Sequence, residues 1–217
     1  NAFRQVVYHG EDARDILSEY VEMNEGPEIW DFLREVWRTM QQSISDGLST
    51  TGVLPGGLNV ERKAKQLYEN QLPTEVAQVL ECRIICAYAY AVSEQNADNG
   101  VIVTAPTCGA AGVLPSVLRY VQEIRGCTEE QVLRALATAG ILGNLAKQNA
   151  SISGAECGCQ AEVGVACAMA AAAAVELMGG TPAQSLDAAS AALMNLLGLV
   201  CDPVGVLVEC PCQNLSL

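Results

Sequence analysis

Six of the ten cysteines in this 217-residue chain, Cys157, Cys159, Cys167, Cys201, Cys210 and Cys212, lie beyond residue 150. Such clustering favours ligation of a metal or cluster over an evenly spread disulfide framework. Thiolates hold soft metals and iron–sulfur clusters, and a shared site needs cysteines whose backbone is free to turn toward one centre. Gly158-Cys159, Cys201-Asp202-Pro203 and Pro211-Cys212 each provide such a turn. The C-x10-C spacing of Cys201 and Cys212 matches neither a zinc finger nor a ferredoxin, so on the residues alone a metal or cluster site and a set of buried thiols both stand. Cys82, Cys86, Cys127 and Cys167 fall in helical patterns and are expected to be small buried hydrophobes.

The elements that must position these residues are helices joined by Gly-rich junctions. Four junctions spend residues that packing does not need: Leu54 to Leu58 (LPGGL), Thr104 to Gly112, Asn149 to Gln160, and Leu197 to Gly205 continuing to Cys212. Ile29, Leu33, Val36, Trp37 and Met40 recur at helical spacing after Pro27. A polar stretch from Ser45 to Gly57 is expected as loop, and Thr74 as the cap of a helix through Val76, Val79, Leu80, Ile84 and Ile85. Thr128 with Gln131, and Thr181 with Gln184, stand at capping-box spacing, and Gly179-Gly180 should stop the helix before them. That helix, 161–178, is nearly all small residues, so neighbours can approach along its whole length. The expected fold is mainly α: a helical bundle around this Ala-rich central helix, with the Gly-rich junctions forming the site. Val101 to Val103 is the best short strand candidate.

Composition narrows the function. Twelve Lys and Arg against 25 Asp and Glu give a net charge of −13 without a basic stretch, which argues against nucleic acid and anionic membrane as partners. The longest apolar run, 163–175, is shorter than the roughly 20 residues of a membrane span and reads as a buried helix. Neither an export signal nor a transit peptide is evident after Asn1, so a cytoplasmic protein, one domain over 1–217, is expected, with the initial Asn suggesting a fragment.

Three segments, TAPTCGAAGVLPSVL (104–118), NASISGAECGCQAEVGVACAMAAAA (149–173) and NLLGLVCDPVGVLVECPC (195–212), resemble in order and separation the α chain of iron–sulfur-dependent L-serine dehydratases. The likeness extends over about residues 45–212. It implies a [4Fe-4S] cluster held by Cys159, Cys201 and Cys212, with one iron left open as a Lewis acid, and elimination of water from L-serine to yield pyruvate and ammonia without pyridoxal phosphate. The base that removes the α-proton is sought at Lys147 and Glu156, which flank the 149–154 junction; the alternative for Lys147 is a solvated side chain answering the helix dipole. His9, the only histidine, lies outside the matching region. Thr104, Thr107, Gly109, Asn149, Ser151 and Ser153 are candidates for holding the small zwitterionic substrate, with local turn capping as the alternative for the hydroxyls. The resemblance further implies a β chain or β domain as partner, an oligomer, and helices after Cys212, where this chain reads Gln213 to Leu217. The segments depart from the family at Cys157 and Cys210, where small or apolar residues are usual, and at Val206, where glycine is favoured. Cys108, in the PT-x-G loop, is with Cys157 and Cys210 a possible competitor for iron. The competing reading is a non-catalytic cluster- or zinc-binding interaction or electron-transfer module.

Overall fold

The apolar spacing behind Pro27 produces the first long helix, α1 (Ile29–Ser49), whose buried stripe is Trp37, Met40, Ser43, Ile44 and Gly47. The computed structural model describes residues 20–70 and 73–197, together with the backbone of residues 203–204 and 207–208. Helices follow in the order α2 (Ala64–Glu69), α3 (Ala77–Ala97), a 3-10 turn (Cys108–Ala110), α4 (Val113–Arg125), α5 (Glu129–Asn149), the single-turn α6 (Gly154–Cys157), α7 (Cys159–Leu177) and α8 (Pro182–Asn195). Pro203–Val204 pairs antiparallel with Leu207–Val208 as a minimal β1–β2 ladder. The mainly α bundle agrees with the sequence pattern.

The two capping boxes read from sequence form as expected. Thr128 accepts from the Gln131 N–H while the Gln131 side chain accepts from the Thr128 N–H, and Thr181 and Gln184 repeat the exchange at the start of α8. Gly179, at φ +81, ends α7 in a conformation that disfavours other residues.

α7 is the central helix. It packs against α8 and α5 along its length and against α4 and the 3-10 turn on its remaining side. Val163, Ala166, Ala170, Ala172 and Ala173 are buried on different faces because small side chains admit neighbours all round. α7 has the length and apolarity to cross a membrane, but most of it is buried inside the bundle, as a core helix is.

Buried side chains form two clusters rather than one. The larger gathers Trp37, Met40, Leu114, Leu118, Leu136 and Met169 around α7; the smaller gathers Ile44, Ala64, Tyr88, Val92 and Ala111 under α3. α1 contributes to both, and so does the 105–111 junction, with Ala105 and Ala110 in the first cluster and Ala111 in the second. That junction is therefore held from two sides.

Several expectations are corrected. α1 continues through Ser45 to Ser49, because Gly47 lets its backbone close on Ala91 of α3: a Cβ there would lie 2.3 Å from the Ala91 carbonyl oxygen. α3 begins at Ala77 with Val76 as its N-cap residue, without a cap from Thr74. Val101 to Val103 runs without strand partners among the described residues. Cys82 is exposed, since the first turns of α3 project from the bundle, whereas Cys167 is buried and Cys86 and Cys127 are half-buried.

Candidate active site

The central helix begins at one end of the bundle, where two of the four junctions meet it. Gly158 takes φ +78 and ψ 161, a turn that separates α6 from α7. This turn leaves Cys159, the first residue of α7, half-buried, while Cys157 at the end of α6 is exposed. Cys108 opens the 3-10 turn and is exposed as well.

Thr107 is extended at φ −130 and ψ 172, following the cis Ala105-Pro106 bond. Its hydroxyl donates to Glu162 Oε2 at 2.5 Å. A Cβ on Gly109 would lie 2.7 Å from Glu162 Oε1, and a Cβ on Gly154 would lie 3.3 Å from both carboxylate oxygens. Glu162 therefore gathers one residue from the 104–112 junction, Thr107, and one glycine from each of the two junctions. It lies one turn after Cys159, and residues at i and i+3 share a helix face. Sequence reasoning missed it. The available signal was an acidic residue interrupting the apolar pattern at the start of the central helix, inside the GCQAE motif.

The other sequence candidates separate into tied and untied groups. Ser151 donates its hydroxyl to Glu156 Oε2 and accepts from the Ser153 N–H at 3.1 Å, so these three close a local turn. Asn149 donates its amide to the Leu145 carbonyl at 2.8 Å, completing the end of α5. For Ser151 the local capping role is realised. Ser153 precedes α6 without a side-chain cap bond. Lys147 is exposed in the last turn of α5 and has no ion pair with a described residue. Thr104 is exposed. Cys201 and Cys212 lie outside the described residues, as does Cys210. Among the described residues no three His, Cys, Asp or Glu side chains share a metal-sized centre.

One carboxylate lies outside this region in a different setting. Glu94 is buried under α2, accepting from the N–H groups of Lys63 and Ala64 at 2.5 and 3.1 Å, with Arg62 Nη1 4.0 Å from its second oxygen. Burial pushes its pKa up, only partly opposed by those N–H groups and the nearby cations. It ties α2 to α3.

These features define a mainly helical protein whose candidate site is built from loops at the N-terminal end of its central helix. Residues 10–215 match the family described as serine dehydratase alpha chain, and the chain belongs to that family. It is 48% identical over 186 residues to an L-serine dehydratase of Streptomyces coelicolor, covering 85% of this chain and 41% of that protein. An L-serine dehydratase of Haemophilus influenzae is 45% identical over 203 residues, covering 91% of this chain and 44% of the relative. A probable L-serine dehydratase alpha chain of Bacillus subtilis is 56% identical over 124 residues, which is 57% of this chain and 41% of the relative. The chain thus spans less than half the length of the curated relatives it matches.

Proposed function

We propose that this chain is the α part of a cytoplasmic, iron–sulfur-dependent L-serine dehydratase, which eliminates water from L-serine to give 2-aminoacrylate and, after tautomerisation and hydrolysis, pyruvate and ammonia. The observation that carries the reading is the path of the chain around Cys159. α8 returns along α7, with Leu193 Cδ1 3.0 Å from where a Cβ on Gly164 would stand. The last described helix residues therefore lie near the end of α7 that bears Cys159. Cys201 follows Leu197 by four residues, within a reach of about 14 Å.

The donor chemistry suits a [4Fe-4S] cluster. Cys159 supplies a half-buried thiol in the first turn of α7, and Cys201 and Cys212 would complete a set of three. When bound through three thiolates, such a cluster supplies one iron as a Lewis acid for the β-hydroxyl. Reduced thiols of this kind persist in the cytoplasm.

The chain's own residues would do the remaining work. Thr104 and the backbone N–H of Gly109 would present short donors to the serine carboxylate, with Thr107, whose hydroxyl is committed to Glu162, holding that junction in place, and the oxygens of Ser153 and Asn149 suit the ammonium. Ser151, whose hydroxyl is committed to Glu156, orients that carboxylate toward the junction and supports it over Lys147 as the acceptor of the α-proton. A β chain or β domain, for which the greater length of the relatives leaves room, would close the site and assemble the oligomer.

The test is anaerobic reconstitution of the chain with iron and sulfide, with and without a β part, followed by serine titration of the cluster spectrum and a pyruvate assay. The expected result is a serine-dependent spectral change, with full turnover only when the β part is present. A chain that retains zinc but no sulfide, or a cluster indifferent to serine, would overturn the reading in favour of an interaction or electron-transfer module.

A further inference from the structure

A glutamate in the first turn of a long helix needs no special explanation, because it answers the positive end of the helix dipole. That account leaves the two glycines facing Glu162 unexplained. Neither Gly109 nor Gly154 takes a positive φ, so backbone conformation does not require glycine at either position. Space does. A side chain at Gly109 would come within 2.7 Å of Oε1, and one at Gly154 within 3.3 Å of the whole carboxyl group, while Thr107 donates to Oε2 at 2.5 Å. Two junctions separated in sequence by the whole of α4 and α5 thus converge on one carboxylate from the helix that begins with Cys159.

We propose that Glu162 is a positioning residue that clamps the 104–112 junction to the 149–158 junction and so sets the separation of the backbones that hold the substrate. The inference rests on the serine-lyase reading above. Thr107 is held directly by its hydrogen bond, Gly109 and Gly154 leave the room the carboxyl group occupies, and Cys159 is set one turn away on the same helix face. Loss of the clamp leaves α7 in place, since its buried residues begin at Val163 and the helix packs against α8, α5 and α4. What loosens is the register of the two junctions, and misplacement of binding groups by a fraction of an ångström is enough to weaken substrate capture.

The experiment uses the full enzyme, with its β part, carrying Glu162→Ala, Glu162→Gln, Gly109→Ala or the Gly109→Ala/Glu162→Ala pair. Glu162→Ala and Gly109→Ala are each expected to raise the KM for serine about tenfold or more, with kcat per iron-loaded chain within about threefold of wild type. Glu162→Gln keeps an acceptor for Thr107 in the same space and should stay within about threefold of the wild-type KM. The pair should resemble Glu162→Ala alone, because the added methyl enters the space that the carboxylate leaves, so the two effects do not add. An unchanged KM with only a lower Tm or active fraction would show a role in folding alone and overturn the proposal, as would additive effects on KM. Should the wild-type enzyme fail to act on serine, the lyase reading falls by itself. The clamp is then judged from the Tm values of the same chains, with additive losses counting against it and losses smaller than additive for it.

Discussion

Two glycines buried differently in helices allow the packing to be tested through one chemical change of opposite sign. In Gly47→Ala, the new Cβ would meet the Ala91 carbonyl oxygen at 2.3 Å and its carbonyl carbon and Cα at 2.6 Å, all of them backbone. Reaching ordinary contact at 3.4 Å requires α1 and α3 to separate by roughly 1 Å, and no rotamer change can relieve it. Overpacking of this kind costs about 3 kcal/mol at the upper end of its usual range, because rigid backbone stands on both sides. Alanine returns about 1 kcal/mol of helix propensity, leaving a loss of about 2 kcal/mol. In Gly140→Ala, on the exposed face of α5, the new Cβ meets nothing within 4 Å, so only the gain of about 1 kcal/mol remains. For a chain of this size a change of 1 kcal/mol moves Tm by about 2–4 °C. Gly47→Ala should therefore melt about 4–8 °C below wild type and Gly140→Ala about 2–4 °C above it. Thermal melts followed by circular dichroism, checked by urea midpoints at unchanged m-value, measure both. A Gly47→Ala chain as stable as wild type would show that α1 and α3 do not approach as described, and equal signs for the two variants would refute the argument from space altogether.

The remaining predictions concern the cluster and one buried acid. Cys159→Ala, Cys201→Ala and Cys212→Ala should each abolish cluster retention, whereas Cys82→Ala and Cys127→Ala should preserve it; iron and sulfide counted per chain decide each position separately. Activity should decline rapidly in air and return with ferrous iron and a thiol, and an enzyme that endures aeration or needs pyridoxal phosphate would contradict the mechanism. Because burial raises the Glu94 pKa above 4.5, its carboxyl stabilises the fold most below that value, and the contribution is lost as pH rises through the folded-state pKa. Glu94→Gln should flatten that part of the pH dependence of Tm; a curve parallel to wild type would show that Glu94 does not produce it.

Much of the helical framework could be read from the chain because its signals are local. Thr128 and Gln131, or Thr181 and Gln184, interact within one helical turn, so their spacing alone specifies a cap. The small residues of α7 likewise announced a helix that neighbours can crowd on every side, and the three long motifs carried the family with them. Tertiary packing decided what local pattern could not. Gly47 read as the loop-forming residue it often is, yet it serves a helix crossing, because the contact that needs its missing side chain lies 44 positions away at Ala91. Apolar residues at the start of α3 suggested burial for Cys82, but burial depends on whether another element covers that face. Glu162 gave the weakest signal of all: its neighbours Thr107, Gly109 and Gly154 acquire their meaning only once α7 lies beside two junctions remote from each other in sequence. Sequence by itself determined most of the helices, the two capping boxes and the family; the three-dimensional arrangement determined which glycines make room and which carboxylate they make room for, because contacts between distant segments leave no periodicity along the chain.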